Sequence, residues 1–340
     1  MPKTKGINRA EVVRIFAETG SKAETARVLG VDSKAISYHL KRAEVGETTD
    51  PERPISEILA TKRQRAARTM DAHKDRTLVP IRIDDAGPIG IALFGDPHLD
   101  DPGCDFPLFE SHLKMVRETD GMYAACVGDY INNWSRRLAH LHADQDITAS
   151  EAWRLIDWML DACEWLFLIG GNHDAWTRAN DLLAEKCKTA GVLLEYHRAR
   201  FEVLVGKGKH RCAPRLFCAH DFPGRSQYSN AFGAAKTGLW QYDDDLLVCG
   251  HIHAYGYQEQ ARVIGAREPD RRGNTIKALR LGSYKVVDDF AKARGFRDGG
   301  HHPCRVAIID PYATEQEAIV TLHSPMAGAD YLTWLRAKRK

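Results

Sequence analysis

The chain has 340 residues, 44% hydrophobic and 28% charged, which excludes wholesale disorder and leaves enough apolar side chain for one large packed domain and a small one. Lys and Arg total 48 against 46 Asp and Glu, a formal charge of +2, so the surface as a whole is no trap for polyanions and any nucleic-acid affinity is local. No early apolar run follows Met1 and none reaches about 18 residues, which argues against secretion and membrane spanning and predicts a cytoplasmic protein. The 8 cysteines form no C-x-x-C pair and read as reduced; Cys126, Cys218 and Cys249 lie in or at the end of apolar runs.

From about Arg9 to Ala43, apolar residues at helical spacing predict three short helices, broken at Gly20 and Gly30. In SKAETARVLGVDSKAISYHLKRA, small Ala26 permits close helix approach and Gly30 allows a tight turn. Val31 and Ile36 seal the junction, and Asp32 or Ser33 caps the next helix. The stretch resembles a helix-turn-helix. That resemblance implies that Lys34 to Leu40 face the major groove, with Ser33, Lys34, Ser37, Tyr38 and Lys41 touching bases or phosphates. Residues 1–75 carry fifteen Lys and Arg against eleven Asp and Glu, a bias that favours phosphate contact. The bland alternative is a tri-helical protein-docking module. Residues 1–46 are therefore expected to be a DNA-binding module, with DNA and a second copy of the chain as partners.

Residues 47–86 begin with a polar linker, GETTDPERP, continue as a basic helix from Ile55 to about His73, and end in a lead-in strand, Leu78 to Ile83. From Ile89 onward, apolar runs of strand length end abruptly in polar residues: IGIALFGDPH, YAACVGDY, WLFLIGGNHD, RLFCAHD and LLVCGHIH. Helical segments such as ASEAWRLIDWMLDACEW lie between several of them. This alternation predicts layered α/β architecture with ligands beyond the carboxyl ends of the strands. KALRLGSYKVV, CRVAIIDP and AIVTLHS read as strands that complete the sheets, so the large domain is expected over 87–325, followed by a basic tail over 326–340.

The polar endings bring together Asp96, His98, Asp129, Asn172, His173, His220, His251 and His253, all of them metal-ligand types or proton donors. Carboxylate, imidazole and amide oxygen in one set suit a first-row transition metal. Any one of these alone reads as a turn or capping residue; the ordered set does not. The order D-x-H, GD, GNHD, H, GHxH over roughly Ile89 to Tyr257 resembles the calcineurin-like metallophosphoesterases. The resemblance implies a four-layer α/β/β/α sandwich. It also implies one cation held by Asp96, His98, Asp129 and His253 and a second held by Asp129, Asn172, His220 and His251. Asp129 then bridges, and His173 stands outside the ligands as general acid. The cofactors expected are two divalent ions, Mn2+ first, with Fe or Zn as alternatives; such a pair, about 3.5–4 Å apart, activates a water for attack on a phosphate ester. Asp101, Asp105, Asn132, Asn133, Asp174 and Asp221 lie beside these residues and read equally as supporting partners or as solvated groups.

Two departures narrow the class. GDYINN and IGGNHD lack the arginines typical of the Ser/Thr protein phosphatase branch, although the Arg136–Arg137 pair is close by in sequence. The nuclease branch that partners an ATPase carries an appended DNA-capping domain, and only about 87 residues follow His253, so no obligatory ATPase partner is expected. The helix-turn-helix together with HDFPGRSQYSNAFGAAKTG resembles calcineurin-like proteins of tailed-phage and prophage genomes. Three functions remain: a DNA-directed phosphodiesterase or nuclease, a phosphoesterase on small nucleotides, and a DNA-binding regulator with an inert phosphoesterase domain.

Overall fold

The computed structural model describes residues 8–44, 54–74, 78–176, 179–261, 275–286, 302–314 and 319–339. The chain divides into two compact units, Met1–Ala72 and His73–Lys340; the polar linker expected after residue 46 falls largely outside the described residues.

In the first unit, α1 (Arg9–Thr19), α2 (Lys22–Leu29) and α3 (Ser33–Glu44) each start and stop where local chemistry dictates. Asn8 and Ser21 accept backbone N–H groups at the starts of α1 and α2, and Gly20 and Gly30 end them in the left-handed region at φ 63° and 64°. Asp32 receives the Lys34 N–H at 2.8 Å and so caps α3. Val12, Ala26, Ile36 and Leu40 form a small core, with Phe16, Leu29 and Val31 against it. A long helix, α4 (Ile55–Lys74), follows.

The second unit holds two sheets. The first runs β1 (Val79–Ile83), β6 (Arg198–Lys207), β8 (Arg215–Ala219), β9 (Leu246–Cys249), β11 (Thr275–Arg280), β10 (Gly256–Ala261), with β7 (His210–Cys212) hairpinned onto β6. The second runs β13 (Val320–His323), β12 (Cys304–Ile309), β2 (Ile89–Phe94), β3 (Met122–Cys126), β4 (Trp165–Gly170), β5 (Leu193–Tyr196). Strand periodicity explains how they stack. On β2, Ile89, Ile91 and Leu93 point one way and join Val203, Val248 and Leu279 of the other sheet in a shared core. Phe167 and Phe201 stack across that interface, ring centres 3.9 Å apart.

The alternate β2 residues, Ala92 and Phe94, face α5 (Phe106–Glu118), α6 (Ala149–Ala162) and a C-terminal helix, α9 (Pro325–Arg339). The outer face of the first sheet carries Phe217, Leu247 and Ala278 against α8 (Phe232–Trp240), and α7 (Ala179–Ala190) precedes β5. The result is the expected α/β/β/α order of layers. Strands buried on both faces read as continuous apolar runs rather than alternating ones, which is why LLVC and WLFLIG look alike.

Two boundaries differ from expectation. Residues 326–340 were expected to form a basic tail; instead α9 places Ala329, Leu332 and Leu335 in the core, and Arg336 bonds Asp85 at 2.9 Å. The basic residues Arg336, Lys338 and Arg339 conceal an apolar stripe at every third position. The lead-in strand β1, expected before the large domain, pairs in parallel with β6 over five residues, so the sheets begin before residue 87.

Candidate metal centre

All eight predicted residues follow the carboxyl ends of five strands. Asp96 and His98 follow β2, Asp129 follows β3, Asn172 and His173 follow β4, His220 follows β8, and His251 and His253 follow β9. The face-to-face sheets therefore bring one set of loops from each sheet to a common point.

Two groups of donors meet there. In one, His98 Nε2 lies 3.2 Å from His253 Nε2 and 4.0 Å from Asp129 Oδ2, while His253 Nε2 is 3.6 Å from Asp96 Oδ2. In the other, His220 Nε2 lies 3.1 Å from Asp129 Oδ2, 2.9 Å from Asn172 Oδ1 and 3.0 Å from His251 Nδ1. Asp129 Oδ2 faces both groups. Ligand atoms about 2.1 Å from one ion stand roughly 3–4 Å from each other, which is the spacing seen.

Lone-pair geometry shows why such a set needs cations. His220 Nδ1 lies 2.9 Å from the Val127 carbonyl, which can only accept, so the ring proton sits on Nδ1. The Nε2 lone pair then points at a carboxylate oxygen, an amide oxygen and another imidazole nitrogen. Its two oxygen neighbours are acceptors, and acceptors facing acceptors repel unless a proton or metal ion lies between them. Burial disfavours a charged His220, yet Asp129 and Asp96 outweigh that effect and push it up to about 10. Burial likewise works to raise Asp129, but His220, His173 and His98 overcome it and hold Asp129 well below the carboxylate range. Burial raises Asp96, whose Oδ1 is buried without a hydrogen-bond partner, and burial with neighbouring His253 and His173 lowers His98. The donor set and the unpartnered carboxylate oxygen fit a pair of divalent cations.

The backbone is held in an unfavourable conformation at these positions. His98, Asp129, His251 and His253 have φ of 45°, 54°, 73° and 52°, in the left-handed region that costs non-glycine residues about 1–3 kcal/mol each. The glycines of the motifs serve close approach instead. A Cβ on Gly250 would collide with the Asp96 carboxylate, and one on Gly171 with Asp129 Oδ1.

Supporting residues hold the loops. Asp174 accepts N–H groups from Gly171 at 2.7 Å, Asp129 at 2.8 Å and Tyr130 at 3.2 Å, and burial beside Asp129 pushes it up to about 7. His173 Nδ1 bonds the Asn132 carbonyl, and Asn133 holds the His173 carbonyl at 2.8 Å. Asp101 ties Asn132 at 2.8 Å to Lys285 at 2.9 Å. Asp105 is a helix cap, accepting from Leu108, and Asp221 pairs with two arginines. His173 was expected to stand outside the ligands; its Nε2 opens onto the His98–Asp129 group, 3.9 Å from Asp129 Oδ2.

In the first unit, Ser33, Lys34 and Tyr38 are exposed on α3 and Ser37 is half-buried. The side chains of Lys41, Arg136 and Arg137 lie outside the described residues.

Sequence reasoning did not single out Trp134 and Trp176, whose rings lie 5.3 and 4.1 Å from that of His173. Their nearness to GDYINN and GNHD was the available signal. Buried Arg280 was missed too; an arginine inside an apolar strand, KALRLG, could have revealed it.

No family model matches the sequence, and no match was found among curated proteins. Several solved structures resemble the fold, among them the following three. Vps29 of Chaetomium thermophilum is 12% identical, with 69% of this chain and 91% of that one covered and a TM-score of 0.33. Calcineurin-like phosphoesterase YfkN of Bacillus subtilis is 9% identical, with 74% and 97% covered and a TM-score of 0.33. Phosphopantetheinyl hydrolase PptH of Mycobacterium tuberculosis is 12% identical, with 63% and 95% covered and a TM-score of 0.30. Likenesses this distant do not bear on the chemistry, which rests on the site itself.

Proposed function

We propose that the chain is a metal-dependent phosphoesterase directed at DNA phosphodiesters, with residues 1–46 supplying the contact to DNA. The supporting observation is the meeting of Asp96, His98, Asp129, Asn172, His220, His251 and His253 around the two sides of one carboxylate, in the motif order of the calcineurin-like enzymes. Two divalent cations held in the two expected sets, most suitably manganese, would supply Lewis acidity toward the phosphate and bring a water nucleophile into range near neutral pH.

The protein's own groups do the rest. Asp129, one anion between both sets, offsets the repulsion of two cations, which neutral imidazoles do not. His173 is placed to protonate the leaving oxygen. Its Nδ1 proton is committed to the Asn132 carbonyl, so a cationic ring releases a proton from Nε2 and relaxes to the tautomer that this hydrogen bond already favours. Trp134 and Trp176 limit the ring's freedom to turn away. Exposed Ser33, Lys34 and Tyr38 on a capped helix support DNA contact by the first unit.

Manganese-loaded wild type and Asp129→Ala, incubated with single- and double-stranded DNA, a chromogenic bis-ester and a mono-ester, test this reading. Wild type is expected to cleave DNA and the bis-ester, and the variant to lose both metal and cleavage. DNA left intact while small esters turn over moves the substrate to nucleotides. Metal content near zero with tight DNA binding turns the chain into a regulator.

A further inference from the structure

Arg280, at the end of β11, has no exposed surface, yet its guanidinium is engaged in three directions. Nε donates to the Asn230 carbonyl at 2.7 Å, Nη2 to Asp221 Oδ1 at 2.9 Å, and Nη1 to the Gly250 carbonyl. Two acceptors adjoin candidate ligands in sequence, Gly250 preceding His251 and Asp221 following His220, and Asn230 lies further along the loop that Asp221 opens. Asp221 is shared. Its Oδ2 also accepts from Arg225 Nη2 at 2.9 Å and its Oδ1 from Nη1 at 3.3 Å.

An exposed i,i+4 ion pair is by itself an ordinary surface feature worth about 0–1 kcal/mol. It does not require a second arginine beneath it. Burying a guanidinium costs several kcal/mol before its partners repay it, and an apolar residue on β11 would pack there with no such penalty. Two guanidinium groups share one carboxylate, which leaves one positive charge uncompensated. Arg280 is enclosed, so that charge is presented by Arg225, whose side chain is 54% exposed. Asp221, which holds it, is the residue next to His220. Arg225 Nη1 also lies 3.4 Å from the Gly224 carbonyl, yet a guanidinium carries five N–H donors, more than Asp221 and Gly224 take up, and such donors match the oxygens of a phosphate.

We propose that Arg280, Asp221 and Arg225 form a relay that holds the Arg225 guanidinium against a non-reacting anionic oxygen of the substrate phosphate. Arg225 is the contact; Asp221 and Arg280 are positioning residues, and Arg280 also steadies the Gly250–His251 backbone. The relay rests on the phosphoesterase reading for its substrate.

The test pairs kinetics with binding in the manganese-loaded full chain. Hydrolysis of bis(4-nitrophenyl) phosphate and calorimetric titration of inorganic phosphate are measured for wild type, Arg225→Ala, Arg225→Lys and Asp221→Asn. Arg225→Ala is expected to raise KM and the phosphate Kd roughly 10- to 100-fold, the loss of a charge-assisted hydrogen bond, with kcat little changed. Arg225→Lys recovers part of the loss, Asp221→Asn shows an intermediate rise, and the melting temperature of Arg225→Ala equals that of wild type. Unchanged KM and Kd in Arg225→Ala, or a fall in kcat alone, overturns the relay while leaving the hydrolase. Phosphate bound through Arg225 by a chain that turns over no ester retains the relay and removes the hydrolase. A wild type that neither binds phosphate nor turns over ester overturns both.

Discussion

Replacing Asp174 with alanine should damage the site without touching any metal ligand. The carboxylate is 2% exposed and receives three backbone N–H groups, from Gly171, Asp129 and Tyr130. Two of those donors belong to residues that face the metal centre or adjoin its glycines, and Asp129 itself sits at φ 54°. A buried donor left without a partner costs about 1–3 kcal/mol, so three give a gross loss of several kcal/mol. Removing a carboxylate that burial and Asp129 push up to about 7 gives part of that back. The net loss is on the order of 2–5 kcal/mol, a large share of the roughly 5–15 kcal/mol that holds a domain folded. Asparagine is no remedy, because its NH2 would confront an N–H group that needs an acceptor. Urea unfolding, followed by manganese titration under native conditions, measures both consequences: a lower midpoint, and affinity reduced at least about tenfold as Asp129 relaxes from its strained conformation. An Asp174→Ala protein with the wild-type midpoint and affinity would show that Asp129 is held by something else.

Other perturbations probe separate parts of the reasoning. Gly250→Ala drives a methyl group into the Asp96 carboxylate and is expected to abolish metal binding in calorimetry with all ligands still present. His112 bonds the Tyr284 hydroxyl at 2.7 Å, and burial lowers it to about 4 from an ordinary 6.5. Because the folded state resists its protonation, this contribution is complete above about pH 6.5 and is lost as pH falls toward 4, by up to roughly 3 kcal/mol. Comparing urea midpoints of wild type and His112→Gln across that window isolates it, the variant showing the shallower decline. Leu332→Ala on α9 empties a fully buried position and should cost about 2–5 kcal/mol, seen as a lower unfolding midpoint; a residue in a free tail would cost nothing. Lys34→Ala should weaken DNA binding uniformly across sequences and reduce the salt slope by about 1.

What could be read in advance divides along a physical line. Each ligand stands within a few residues of its own strand end, so strand termination, the glycine that permits close approach and the ligand are written together: Gly128 with Asp129, Gly171 with Asn172 and His173, Gly250 with His251. Five strand endings supply the face where the loops meet: β2, β3 and β4 run parallel in one sheet and β8 and β9 in the other, so within each sheet the carboxyl ends share one side. Arg280 belongs to no such block. Its three partners are set by β11 lying beside β9 and by α8 covering the outer face, a consequence of strand order that no local pattern carries. The same holds for α9 and β1, whose burial depends on which neighbours arrive from elsewhere in the chain, Val306 and Phe201 among them. Local chemistry therefore identifies the groups proposed to hold the cations, while the residues that aim them come into view only when non-neighbouring strands are placed side by side.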